Sequence, residues 1–417
     1  MLRYPPARNL VAAAVLAVAS SGGAGAVGCG KDYGAAPDAL PDGGSAEGAA
    51  SDGAVESSDA SSTACDVTIV DHDPLNCGKC GHSCLGGACA ASACEAVVVG
   101  SSTGETVIDI AVDGQRILWL TSVAPWAGDG HVYACPRAGC AGAPPTSITG
   151  PTVLTGSLAG DGKTAFFSIA YPSSSPSGLR QILANSVAQP VAKPHNEAVR
   201  LQLVDGILYF ATLYEPPSTG MYAGTMYQWD GVNESLVGHF DGADNFNELV
   251  IAGTHVFLAS ATLIATCTIG NCQTQAPFFV ISASPAPAPH LATDGTSLMW
   301  TNESSVFSCS VGAAPCPMPN VLLGPAQLGA AVRTVAFEHG DLYVSTAKGD
   351  IFACRPADCA GSLHRIAHAE SLFEGSEYRF GHTIAADDEA AYWSELDGSP
   401  PAADASSQGY RIMKIAK

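Results

Sequence analysis

A short apolar-aromatic segment returns seven times along the chain. It reads Ile117-Leu118-Trp119-Leu120, Ala165-Phe166-Phe167-Ser168, Leu208-Tyr209-Phe210-Ala211 and Val256-Phe257-Leu258-Ala259. It continues as Leu298-Met299-Trp300-Thr301, Leu342-Tyr343-Val344-Ser345 and Ala391-Tyr392-Trp393-Ser394. The third residues stand at 119, 167, 210, 258, 300, 344 and 393, in steps of 48, 43, 48, 42, 44 and 49. A repeat of that length is one supersecondary unit, which buries its faces only against its neighbours.

Each copy keeps one internal order. A short apolar strand ends in a turn, as at Asp113-Gly114, Asp161-Gly162, Asp205-Gly206 and Asp294-Gly295. Asp-Gly is a hairpin signal because glycine accepts positive φ. The aromatic strand follows. A variable loop then leads to a third strand, such as Val132-Tyr133-Ala134 or Ile351-Phe352-Ala353, and a weaker fourth strand, such as Phe278-Phe279-Val280 or Val321-Leu322-Leu323. The 45 Gly and 27 Pro suit many short strands and turns. The expected fold is all-β: a seven-bladed propeller of four-stranded antiparallel blades over residues 95–417. The seventh copy ends after its third strand, Tyr410 to Ile415, while an orphan strand, Ala96 to Val99, precedes the first. Unpaired edges expose ladder donors and acceptors, so the orphan strand is expected to complete the last blade.

The Asp-Gly turns, the aromatic strand and Trp300-Thr301-Asn302 resemble the YWTD/YWTN class of β-propellers. With their cysteine pairs the repeats also resemble those of Cys-rich bacterial surface lipoproteins. The resemblance implies a platform for a ligand or a protein partner. It does not name a reaction, because function resides in sites grafted onto a fold.

The cysteines fall into groups. Cys135/Cys140, Cys267/Cys272, Cys309/Cys316 and Cys354/Cys359 each follow a third strand and are expected to clip it to the fourth. Cys65, Cys77, Cys80, Cys84, Cys89 and Cys94 crowd into residues 65–94, an even set that reads as a disulfide-rich module of open connectivity. The alternative there is zinc, since Cys77-x-x-Cys80, His82 and Cys84 are ligand types at tight spacing. An exported chain favours disulfides.

Export follows from the N-terminus. Arg3 and Arg8 precede an apolar run from Asn9 to Ser21, which is too short to span a bilayer. Ala26-Val27-Gly28-Cys29 resembles a lipobox, so residues 1–28 read as a lipoprotein signal peptide and Cys29 as the lipidated residue; plain secretion after Ala26 is the alternative. Residues 29–64 are an acidic Ala/Gly/Ser tether that cannot offset the entropy of folding. Its reach is about 30–35 Å. The expected location is the cell envelope, on an outer membrane or a periplasmic membrane face, with the membrane as a partner through the anchor.

Signal removal takes the net charge from −21 to −23, which excludes a phosphate-binding footprint and hence nucleic acid. Gly23 to Gly28 matches GxGxxG inside the signal, and Gly100-Ser101-Ser102-Thr103-Gly104 matches GxSxG as a loop between strands. Neither has the context its chemistry needs. The Asp-Gly turns and cysteine clips share one face, which reads as structural. The opposite face gathers long loops with Trp126, His195, Glu197, Arg200, Tyr214, Glu215, Tyr222, Glu377, Tyr378, Arg379 and His382, the expected ligand-binding residues. Asp241 to Glu248 is an acidic loop, with Ca2+ as the one cofactor it could attract; none is expected. The leading expectation is a monomeric, non-catalytic module binding a protein or glycan. The alternatives are a propeller enzyme acting on a carbohydrate or lactone in the channel mouth, and a structural spacer.

Overall fold

Asp205 and Gly206 adopt φ of 51° and 77°. That left-handed pair lets a two-residue hairpin follow the strand twist. Gly114 and Gly295 likewise hold positive φ at the equivalent turns. From such turns the chain builds sheets in which each strand pairs with its sequence neighbour. The structure is a computed structural model. It describes residues 70–417 except 123–128, 150–151, 162, 170–177, 186, 192–197, 215–222, 242–247, 261–262, 273–275, 281–289, 313–314, 317, 370–383 and 398–408.

Seven antiparallel sheets form the blades of a propeller. Their inner strands are Thr106–Val112, Thr152–Gly160, Ala198–Val204, Glu248–Ala252, Leu291–Thr293, Val332–Glu338 and Ile384–Ala386. Each inner strand neighbours the next, and the seventh neighbours the first. Blade 2 gains a fifth, short strand, Asp129–Gly130, on its inner edge. Seven apolar clusters fill the seven interfaces between successive blades. The third residue of every repeat lies in them: Trp119, Phe167, Phe210, Leu258, Trp300, Val344 and Trp393 are all buried. The periodicity in the sequence is therefore the periodicity of inter-blade packing.

Blade 7 consists of Ile384–Ala386, Ala390–Asp397, Gly409–Ala416 and, from the other end of the repeat region, Val97–Thr103. The orphan strand closes the ring as expected. It runs further than its apolar residues indicated: Ser101, Ser102 and Thr103 pair with Arg411, Tyr410 and Gly409. The GxSxG segment is thus strand for most of its length, not loop. Gly100 is buried within it, where a Cβ would lie 2.8 Å from the Trp119 ring. The glycine serves packing.

The four blade clips are disulfides: Cys135–Cys140, Cys267–Cys272, Cys309–Cys316 and Cys354–Cys359. The first also braces the ring closure, since the Cys140 amide donates to the Val99 carbonyl at 2.8 Å. In the N-terminal module Cys77 bonds Cys89 and Cys84 bonds Cys94, with Cα separations of 5.5 and 5.2 Å. Cys80 is disulfide-bonded as well. Cys29 and Cys65 lie outside the described residues. Leu85 of the module packs against the cluster between blades 7 and 1, so this module is docked on the propeller's closing interface.

Candidate functional site

The seven inner strands enclose a cavity of about 410 Å³ on the propeller axis. Every blade contributes to it. The inner-strand residues at its wall, among them Ile110, Leu158, Leu201, Leu249, Leu291 and Ile384, bury their side chains in the inter-blade clusters, and Asp161, Glu338, His339 and Asp387 stand where the inner strands reach their turns. The mouth therefore opens on the turn face, which the sequence marked as structural. The volume falls in the range of small-ligand sites.

Two groups of polar residues shape the rim. Arg137 follows the third strand of blade 1 and reaches across to blade 7. Its Nε lies 2.7 Å from Asp387 Oδ2, and its Nη2 lies 2.9 Å from Asp388 and 3.4 Å from Glu389. Burial opposes the Arg137 charge, but Asp388, Asp387 and Tyr392 outweigh it and hold the guanidinium above its usual value. The Tyr392 hydroxyl donates to Asp387 at 2.7 Å. Burial, then Asp387, pushes that phenol well above its ordinary range.

The second group is Glu338, Tyr343 and Lys417. Glu338 is exposed at the cavity mouth, where desolvation by the surrounding protein raises its carboxyl to about 7, with Lys417 pulling it back. The Lys417 ammonium lies 5.3 Å from the Tyr343 ring centroid, a cation–π geometry. Burial lowers its affinity for the proton, and Asp341, Asp387, Glu338 and Asp388 oppose that shift. Tyr343 is 1% exposed, and its hydroxyl has no hydrogen-bond partner among the described residues. Burial raises the phenol first, and Asp341, Glu338 and Asp387 add to it.

N-terminal to these wall residues, a charged cluster lies in the same strands. Arg200 occupies a bulge between Val199 and Gln202 at φ 57°. Such a bulge re-aims its side chain. Burial lowers the guanidinium to about 10, and Glu248 and Asp109 attract it. Asp109 accepts the Leu158 amide of blade 2 at 2.7 Å, and Glu248 lies 3.1 Å from His290 Nδ1. Further side chains of the inner strands tie blade to blade: Ser157 accepts the Leu201 amide and Gln202 the Ile251 amide. A separate network in blade 1 joins Glu105 to His131 at 2.6 Å and to Thr121 at 2.5 Å.

Of the expected ligand residues, Trp126, His195, Glu197, Glu215, Tyr222, Glu377, Tyr378, Arg379 and His382 lie outside the described residues. Tyr214 ends the second strand of blade 3, where its backbone pairs with Ala223. Arg200 is not on an open loop: it is 7% exposed within an inner strand, because the bulge turns it toward Glu248 and Asp109. Of the acidic segment 241–248, Glu248 is buried and engaged by His290. Reading for loops passed over Glu338, Asp387, Arg137 and Lys417. Their signal was positional: the two buried tyrosines, 343 and 392, share one place in the repeat.

No family model matches the chain. No curated protein matches it. Among solved structures it is similar to the WD40 β-propeller domain of Doa1, with TM-score 0.50 and 13% identity, covering 76% of this chain and 96% of that one. The AfRom2 CNH domain gives TM-score 0.49 at 8% identity, covering 77% and 98%. The Pan2 WD40 domain of Neurospora crassa gives 0.48 at 8%, covering 76% and 95%. At these identities the likeness to Doa1 concerns the fold, and the class that fold and cavity define is a seven-bladed β-propeller with an axial chamber.

Proposed function

We propose that the protein is a non-catalytic binding module of the cell envelope, held by a lipidated Cys29 and an acidic tether, and that a protein or glycan ligand engages its propeller. The axial chamber carries this reading. It gathers residues of all seven blades around one concave space with polar groups at its mouth, the setting of a recognition site. A glycan and peptide array, followed by turnover assays on every hit, tests the reading. Binding without turnover is the expected result, and turnover at the chamber would overturn it. Cys29→Ala is expected to abolish lipid labelling and membrane partitioning; unchanged partitioning would remove the anchor.

A propeller enzyme is the second reading, and one observation favours it. Glu248 orients His290 through Nδ1 beside a buried Arg200, the arrangement of a carboxylate-directed base near a cation. Turnover of a hit that disappears in His290→Ala while binding persists would establish it.

A further inference from the structure

We propose that the disulfides of the ring are edge guards: each holds its segment against the outer strand of the blade before it, beside a bulge in that strand, and keeps the strand from pairing with a second copy of the chain. No ligand is involved, so failure of the binding reading leaves this role untouched.

The fourth, outer strand of a blade has one edge without a neighbouring strand. Its outward N–H and C=O groups are a template for another chain. In blades 3, 4, 5, 6 and 7 the register of the outer strand slips by one residue, which marks a bulge. The extra residues are Val237, Phe278, Leu322, Ile366 and Val99. Val237 and Val99 are buried, and Leu322 and Ile366 half-buried, each in the apolar cluster shared with the following blade. A bulge bends and twists an edge.

The cysteines lie at the same places. Gly238 follows the bulge of blade 3, and a Cβ there would overlap the Cys272 side chain of blade 4 and lie 2.6 Å from the Cys272 carbonyl oxygen. Gly100 follows the bulge of blade 7, and a Cβ there would lie 3.0 Å from Cys135 Sγ of blade 1. Beside it the Cys140 amide donates to the Val99 carbonyl at 2.8 Å. Cys354 and Cys359 of blade 6 pack with Leu322 and Leu323 of blade 5. Cys309 and Cys316 of blade 5 join the cluster between blades 4 and 5. For blade 6 the cover comes from the N-terminal module, where Cys94, bonded to Cys84, packs with Ile366 and Ala367.

The outer strands of blades 1 and 2 precede blades whose sequence, 152–241, holds no cysteine. They are Thr146–Ser147, preceded by Pro144 and Pro145, and Ala188–Pro190, and both pair in regular register. Shortness and proline protect an edge by themselves. Bulge and disulfide therefore coincide on the longer edges. Within the blades the bonded cysteines are only 5 or 7 positions apart. Closing so short a loop removes less chain entropy than closing a long one, so much of what these bonds contribute is the placement of the segment on the neighbouring edge.

Blade 3 offers the clearest test. Its outer strand, Glu234–Asp241, has 8 residues and no proline; Leu236 on it is 46% exposed, and Val232 at its hairpin tip is 79% exposed. Once uncovered, the same edge on two molecules can pair about a two-fold axis. Sedimentation velocity over a range of protein concentrations compares the native protein, the double variant Cys267→Ala/Cys272→Ala, and Gly238→Val, which lifts the cover with the disulfide intact. The native protein is expected to be a monomer. Both variants are expected to self-associate reversibly, with the weight-average mass about doubled at high concentration. Adding Leu236→Lys, a charge on the edge, is expected to return them to monomers without restoring their melting temperature. Folding of each variant is checked by its melting curve; if the cysteine pair proves necessary for folding, Gly238→Val decides. Monomers throughout would overturn the proposal and leave the clips as staples of their own hairpins. Association that Leu236→Lys does not reverse would also overturn it, because the contact would then lie elsewhere.

Discussion

Lys417 stands to Tyr343 as Arg137 stands to Tyr392. In blade 7 the strand pair Ala391–Ile415 is followed on the third strand by Ala416 and Lys417; in blade 1 the pair Ile117–Cys135 is followed by Pro136 and Arg137. Asp387 and Glu338 likewise occupy one position: Asp387 follows the pair Ala386–Ala391 and Glu338 follows the equivalent pair Phe337–Leu342. The acid and tyrosine of one blade thus meet the base of the next, at the interface of blades 6 and 7 and again at that of blades 7 and 1. The same three places between blades 4 and 5 hold Ala252, Phe257 and Val311, packed in one apolar cluster. The two charged versions flank the blade that closes the ring.

Arg137→Ala should therefore loosen the closing interface. It removes the cation from the 7% exposed Asp387 carboxylate and leaves Tyr392 as a neutral donor. The guanidinium is partly open to water, so the expected loss is about 1–2 kcal/mol rather than that of a fully buried pair. Chemical denaturation of Arg137→Ala and Arg137→Lys checks it, with lysine restoring part of the loss.

Glu338 gives stability a pH dependence of known sign. Its folded value is raised from 4.5 to about 7, so between those values the folded state holds more proton than the unfolded chain. Its contribution to stability is present below pH 4.5 and is lost as pH rises to about 7. The melting temperature of Glu338→Gln relative to the native protein should climb across that window and level off above it. A flat difference would show that the carboxyl is not desolvated in solution.

The closing strand should support the whole ring. Gly100→Val forces a side chain against Trp119 and Cys135, an overpacking expected to cost about 1–3 kcal/mol. Deletion of Glu95–Gly100, or truncation from Tyr410, should lower the melting temperature of the entire propeller as one transition. Melting like the full-length protein would contradict closure by Val97–Thr103.

Thiol titration of the denatured, unreduced protein should read near zero from the described cysteines, because each is in a disulfide. Reactive thiols at Cys135, Cys267, Cys309 or Cys354 would contradict the clips.

The propeller was legible because its signal is repeated. Trp119, Trp300 and Trp393 occupy one packing position, and Asp205-Gly206 states its own backbone conformation. The chamber was not legible for a related reason. Its walls are ordinary inner-strand residues, such as Leu158 and Leu201, that become a site only when seven strands meet on an axis. Glu338 and Lys417 lie 79 positions apart, and their encounter follows from the packing of blade 7 on blade 6. Arg200 looked like a loop residue because no local pattern announces the bulge that turns it inward.

The proposed binding role assigns the ligand to the axial chamber. Leu203 lines it and is only partly buried, at the edge of the blade 2–3 cluster, so Leu203→Trp adds bulk at the chamber wall without removing a polar contact. Affinity for the best array hit, measured by titration calorimetry in the native protein and in Leu203→Trp with matched melting curves, is the most direct test. A ligand held in the chamber should lose affinity about tenfold or more in the variant. An unchanged affinity in a folded Leu203→Trp would contradict it and move the ligand to the opposite face.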